Sequence, residues 1–111
     1  MIISEAKFAA ATLLVNGENR KFDDVKEMFV YHMDHPEAQV KAWFVHDYQS
    51  EAWIRGETAF YVQSDRLKTP MGGAVAAFEK RAAAEAFAQE VGGKAYTLDE
   101  LRIQVHVKVH G

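Results

Sequence analysis

The sequence contains no cysteine, and this absence excludes several kinds of functional site at once. Without thiols, the chain forms no disulfide scaffold, no thiolate zinc site, no iron–sulfur cluster and no cysteine nucleophile. The cellular compartment stays open, because a chain without thiols suits both oxidising and reducing surroundings.

Positive charge and long apolar runs are also scarce. Thirteen Lys and Arg stand against sixteen Asp and Glu, which gives a net charge of −3 with neutral histidines. Proteins that bind nucleic acid normally carry a basic face, so we exclude nucleic acid as a partner. No apolar run approaches the roughly 18 residues of a membrane span, so no transmembrane segment is predicted. The 111 residues fit a single domain over 1–111.

The first half of the chain predicts a hairpin, a helix and a strand. Asn16-Gly17 lies between the apolar run 7–15 and the segment 19–22, which is a strong signal for a β-hairpin. Asp24 and Glu27 have the spacing of a capping box at the start of a helix, and Pro36 ends that helix. The apolar segment 41–46 then predicts a strand.

The second half repeats this order, so we predict an α+β fold of duplicated ββαβ units. Phe22 precedes the first predicted helix and Phe78 the second, an offset of 56 residues that also relates Tyr31 to Phe87. The first repeat spans about 6–48 and the second about 52–98. Their sheets and helices can share one core.

An extra strand is predicted at the C-terminus, over 102–110. Ile103, Val105, Val107 and Val109 alternate with polar residues, which is the pattern of a half-buried strand. Such a strand could pair with a sheet edge or with another chain. On a strand, His106 and His110 would lie about 13 Å apart, too far to share one ion.

Histidine and methionine are the candidate metal ligands, with five His and four Met in the chain. Thioethers select soft ions such as Cu(I), and imidazole accepts copper, zinc and nickel. Met71 lies in the loop Pro70-Met71-Gly72, either as a ligand or as a lid on the core. His46 is followed by Asp47, which could support a metal-bound imidazole or cap the next turn. His32 fits a core position and His35 a solvated one.

No enzymatic motif stands beside these residues. The sequence has no Gly-x-Ser-x-Gly turn, no His-Glu-x-x-His pair, no phosphate loop and no dinucleotide fingerprint. We therefore predict that the chain is not an enzyme.

A series of segments, in the same order and spacing, resembles the NosL family, the copper accessory proteins of nitrous oxide reductase. The resemblance runs from Met1 to about Leu101. It is carried by residues 22–25, 28–29, 45–48, 53–54, 59–62, 69–72, 77–78, 86–87 and 92–93.

This resemblance implies a protein that binds Cu(I) and hands it to the assembly machinery of a copper enzyme at the membrane. Such proteins are typically lipoproteins on the periplasmic side of the cytoplasmic membrane. Their fold is similar to that of organomercurial lyase, whose activity needs cysteines that this chain lacks. Met71 corresponds to the copper-binding methionine of the family's Pro-Met-Gly loop.

The chain departs from the family at its start. Family members open with a motif that ends Cys-Gly-Met, and here Met1 takes the position of the methionine or of an initiator. Either the sequence begins just after that cysteine or the chain is a cysteine-free relative, cytoplasmic if the lipid anchor is absent. With Met71, Met1 and His46 as ligands, copper binding would be weak and exchangeable. The alternative is a metal-free interaction module that uses its C-terminal strand to add to a partner's sheet.

Overall fold

The computed structural model describes residues 7–67 and 74–110, and it describes side chains as far as residue 105. This part of the chain folds into two antiparallel sheets and three α-helices. None of these helices is long and apolar enough to cross a membrane. In chain order the elements are β1 (Ala10–Leu14), β2 (Asn19–Phe22), α1 (Val25–Asp34), β3 (Val40–His46), β4 (Trp53–Arg55), β5 (Phe60–Gln63), β6 (Val75–Phe78), α2 (Arg81–Val91), β7 (Lys94–Tyr96) and α3 (Leu98–His110).

The first sheet begins with the predicted hairpin. β1 pairs antiparallel with β2, with Ala10 opposite Phe22. Gly17 adopts a φ of 93°, a conformation that glycine enters without steric cost. β3 then pairs with the other side of β1, and β4 pairs with β3, so the strand order is β2-β1-β3-β4.

Helix α1 starts where the capping box predicts. The carboxylate of Asp24 accepts a 2.8 Å hydrogen bond from the N–H of Glu27. The Glu27 carboxylate in turn accepts from the N–H of Asp23 at 2.9 Å. These bonds satisfy N–H groups that have no partner inside the helix. The helix ends at Asp34, two residues before Pro36.

The second unit repeats the topology of the first, so the predicted α+β fold with duplicated ββαβ units is confirmed. β5, β6, α2 and β7 form a sheet of order β6-β5-β7, which matches the order β2-β1-β3. Phe22 ends β2 and packs on Tyr31 of α1, with ring centroids 5.5 Å apart. Phe78 ends β6 and packs on Phe87 of α2 at 5.2 Å. The 56-residue offset therefore relates equivalent contacts.

Strand β4 belongs to the first sheet, although it follows the predicted start of the second repeat at 52. A tight turn after β3 causes this, because it brings the chain straight back along β3. The N–H of Asp47 donates to the carbonyl of Ala52 at 2.9 Å, and the N–H of Glu51 donates to the carbonyl of Asp47 at 2.8 Å. As a result, Trp53 lies opposite His46 in the register.

The second sheet lies between two apolar clusters. Tyr61 and Val75 face a cluster shared with the first sheet, α1 and α3. Val62 and Phe78 face the opposite cluster, which α2 covers. This division follows from the alternation of side chains along a strand.

The predicted C-terminal strand is wrong, because residues 98–110 form helix α3. Leu98, Leu101 and Val105 are buried at helical spacing. Thr97 caps the helix: its hydroxyl accepts from the N–H of Glu100 at 3.3 Å, and the Glu100 carboxylate accepts from the N–H of Thr97 at 2.9 Å. The cap and the buried stripe outweigh the alternating pattern that begins at residue 103.

Two earlier inferences change with this correction. The interaction module by strand addition has no C-terminal strand to use. His106 and His110 lie one helical turn apart along the backbone, about 6 Å in rise, so the separation expected on a strand does not apply.

We expect the Thr97→Ala substitution to lower the free energy of unfolding by about 1 kcal/mol, because it removes the N-cap acceptor of α3. Thr97→Ser is the matched control and should unfold like the wild type, since serine supplies the same hydroxyl. Urea denaturation followed by circular dichroism measures both variants. Equal stability of all three proteins would contradict the capping role.

Candidate metal centre

His46 is the predicted ligand that lies among the described residues, and its ring is held at one nitrogen only. Nδ1 donates a 3.0 Å hydrogen bond to the carbonyl of Ala9, because a carbonyl oxygen can only accept. No described residue bonds Nε2. In the neutral ring, Nε2 therefore carries the lone pair. The residue itself is 8% exposed, so a buried imidazole offers one nitrogen, Nε2, as a possible metal ligand.

Trp53 covers the ring of His46. The two residues are cross-strand partners on β3 and β4, which brings their side chains onto the same face of the sheet. Their ring centroids lie 3.8 Å apart with an angle of 35° between the planes. Trp53 is nevertheless 51% exposed. This stack is not predictable from the sequence alone, because the strand register that creates it depends on the turn after β3.

Asp47 acts on the backbone rather than on His46. One carboxylate oxygen accepts from the N–H of Ser50 at 2.9 Å, and the other accepts from the N–H of Glu79 at 2.9 Å. Burial raises the pKa of Asp47, but the hydrogen bonds from Glu79 and Ser50 outweigh it and the net pKa is lowered. The turn-capping interpretation is confirmed. The described contacts do not pair this carboxylate with His46.

The first described residues of the chain connect His46 with the apolar cluster on the second sheet, because Ala9 bonds His46 and Phe8 belongs to that cluster. Phe8 packs in the same apolar cluster as Leu67, and Ala74 packs against that cluster. The ammonium of Lys7 lies 4.6 Å from the centre of the Tyr48 ring. Met1 and Met71 lie outside the described residues. In the sequence, segment 1–6 comes shortly before Phe8, and segment 68–73 connects Leu67 to Ala74.

The other described histidines have structural surroundings. His32 Nε2 lies 2.9 Å from the Thr12 hydroxyl, in agreement with the predicted core position. Burial lowers the pKa of His32, which favours its neutral form. His35 is exposed and lies 3.0 Å from the Glu37 carboxylate, as a solvated position predicts. Among the side chains that the structure describes, in 7–67 and 74–105, no three His, Asp or Glu form a group that could hold a metal ion.

A cavity of about 450 Å³ opens between α1 and α3, away from His46. Trp43 lines it, and the Arg102 guanidinium lies 5.1 Å from the Trp43 ring centre. His32 and Met33 also line this cavity. It shares no lining residue with the His46 centre.

The fold and the centre together define a class: two-sheet α+β proteins of duplicated ββαβ units, with one buried imidazole open at Nε2. The chain belongs to the NosL family, whose sequence pattern matches residues 1–106. A similar solved structure is that of the copper chaperone NosL from Shewanella denitrificans. It is 28% identical, with a TM-score of 0.75 over 90% of this chain and 83% of that chain. No curated protein sequence matches the chain.

Family membership confirms the resemblance that the sequence carried and supports a copper-related accessory role. NosL proteins are copper chaperones and not enzymes, which agrees with the predicted lack of enzymatic activity.

Asp47→Asn should lower the free energy of unfolding by about 1–3 kcal/mol at neutral pH, because one backbone N–H loses its charged acceptor. The lowered pKa of Asp47 stabilises the fold above the ordinary carboxyl pKa, and this stabilisation is lost as pH falls through the folded pKa. The difference between wild type and variant should therefore shrink below about pH 4.

Thermal unfolding between pH 3 and pH 7 measures this difference. Asp65→Asn is the matched control, because Asp65 is exposed and its removal should change little at any pH. A constant difference between wild type and Asp47→Asn across this range would contradict the role of the carboxylate.

Proposed function

We propose that the chain binds Cu(I) through Met71, Met1 and His46, and delivers it to the machinery that assembles a copper enzyme. Family membership and the similarity to a copper chaperone support a copper-related role. The observation that carries the assignment of His46 is the state of its ring, whose Nδ1 is bonded to Ala9 while no described residue bonds Nε2.

This arrangement is the one that metal-binding histidines adopt. Such a residue almost always donates its second ring N–H to a carbonyl or a carboxylate, which fixes the tautomer and the orientation of the ring. The carbonyl of Ala9 fills this role at 3.0 Å. His46 therefore needs no rearrangement before it binds an ion at Nε2.

Chain length lets both methionines approach this region. Met71 lies three positions before Ala74, a reach of about 11 Å, and Met1 lies eight positions before Ala9, a reach of about 29 Å. Ala74 packs against the apolar cluster that contains Phe8. Phe8 is the neighbour of the residue that holds His46. The N-terminal segment thus starts beside the imidazole, and the 68–73 segment starts from the apolar cluster that contains Phe8.

The donor set favours Cu(I). Two neutral thioethers and one neutral imidazole offer soft donors with no negative charge, which suits a monovalent soft ion. A site without a thiolate binds copper less tightly than one with it. Exchangeable binding suits a protein that must release its cargo to a partner.

We further propose that the receiving enzyme is nitrous oxide reductase, and that the full-length protein is lipid-anchored on the periplasmic side of the membrane. Both proposals rest on membership of the NosL family. They predict that cells lacking this protein produce a reductase with a reduced copper content. A fully copper-loaded reductase in such cells would contradict the proposed target.

We expect Met71→Ala and His46→Gln each to lower the affinity for Cu(I) by about tenfold or more. Each removes one ligand, and even the loss of a hydrogen-bond partner of a ligand typically lowers metal affinity by about 10- to 100-fold. Glutamine keeps a polar side chain of similar length but offers no imidazole nitrogen. Anaerobic titration against a chromophoric Cu(I) chelator measures the affinity.

Met33→Leu and His35→Ala are matched controls, because each removes a residue of the same type elsewhere in the chain. Both should bind Cu(I) like the wild type. Wild-type affinity in Met71→Ala or His46→Gln would remove that residue from the site, and an absence of Cu(I) binding by the wild type would overturn the proposed function.

A further inference from the structure

Trp53 is one of three large apolar side chains that the described part of the chain leaves exposed; the others are Val15 and Ile103. Its position differs from that of Trp43, which is 9% exposed and packs in the core. Trp53 lies on β4, at the edge of the first sheet. About half of its surface is open to solvent, while the other part covers His46.

The stack leaves an indole face close to the free nitrogen of His46. An ion about 2 Å from Nε2 lies about 3 Å from the centre of the imidazole ring. The Trp53 ring centre lies 3.8 Å from that same centre, with a 35° tilt. At this separation one ring must lie over the other, so an ion in the imidazole plane would lie about 5 Å from the indole centre, inside the range over which an aromatic face attracts a cation.

An indole is the strongest of the aromatic side chains in this interaction, because its π-electrons present a negative face. It attracts a cation without adding formal charge. Among the described residues, no cluster of three His, Asp or Glu adds anionic ligands that a divalent ion would prefer. An aromatic face next to neutral donors therefore suits a soft monovalent ion.

We infer that Trp53 contacts the ion bound at His46 Nε2 through its ring face, and that it makes the site selective for soft monovalent cations, Cu(I) and Ag(I). This inference rests on the proposed function, because it requires an ion at Nε2. Trp53 then has two roles: it orients the imidazole by stacking, and it stabilises the bound ion. An aliphatic residue at position 53 fills only the space over the ring.

Fluorescence and affinity together separate these roles. Ag(I) serves as a redox-inert probe in addition to Cu(I). Both ions should quench the emission of the wild type and of Trp43→Phe, which retains Trp53 as its single tryptophan. They should leave the emission of Trp53→Phe, which retains Trp43, nearly unchanged.

The affinity for Cu(I) should fall in the order wild type, Trp53→Phe, Trp53→Leu. The loss in Trp53→Leu should be about 2- to 30-fold, the range that cation–π contacts span. Circular dichroism and thermal unfolding verify that each variant is folded. Zn(II) titration is the second measurement, and its affinity should change less than that of Cu(I).

Equal Cu(I) affinity in folded Trp53→Phe and Trp53→Leu would overturn the inference, because phenylalanine keeps an aromatic face and leucine does not. A side chain that only fills the space over the imidazole would give that result. Quenching of Trp53→Phe to the same extent as the wild type would also overturn it. Copper binding by the wild type would stand in both cases, so the proposed function would survive. The failure of the proposed function is distinct, because it would appear as no Cu(I) binding by the wild type.

Discussion

The end of β3 is the constraint on which the rest of the structure depends, and the carboxylate of Asp47 maintains it. Its two oxygens accept hydrogen bonds from the N–H of Ser50 in the following turn and from the N–H of Glu79 after β6. The N–H of Tyr48 donates to the carbonyl of Ala77 at 2.7 Å, which adds a second link between the two sheets. One short segment thus sets the turn that creates β4 and joins the first unit to the second.

The candidate centre follows from that constraint. Because the turn brings β4 back along β3, Trp53 lies over His46. On the other side, Ala9 fixes the imidazole through its carbonyl oxygen. The imidazole is therefore oriented by two neighbours, of which Ala9 is 37 residues away in sequence, and Nε2 remains for a ligand. The orientation is present before any ion binds, which keeps the cost of binding small.

Local signals predicted most of the fold. The turn at Asn16-Gly17 and the cap at Asp24 each depend on neighbouring residues alone, and the structure contains both. The repeat was visible because Phe22 and Phe78 take equivalent positions. The C-terminal helix differs from the strand that the sequence predicts. Thr97 and Glu100 have capping-box spacing, but the alternation of apolar and polar residues from residue 103 onward is the pattern of a strand.

The site was predictable only in part. His46 could be proposed from its residue type and from the family resemblance, whereas its bond to Ala9 spans 37 residues and depends on how β1 lies beside β3. The cover by Trp53 required the register of β4. Asp47 was considered as a support for His46, but its oxygens serve two backbone N–H groups instead. Non-local pairing of this kind leaves no pattern in a single sequence.

The tautomer of the neutral His46 ring tests most directly the claim that Nε2 is available to bind copper. In the neutral form of the ring, two-bond proton–nitrogen correlation spectra of ¹⁵N-labelled protein should show Nδ1 carrying the proton and Nε2 as the unprotonated nitrogen. Addition of Cu(I) should then shift the Nε2 resonance and leave the proton on Nδ1. A proton on Nε2 in the free protein, or an Nε2 resonance unchanged by saturating Cu(I), would contradict the account.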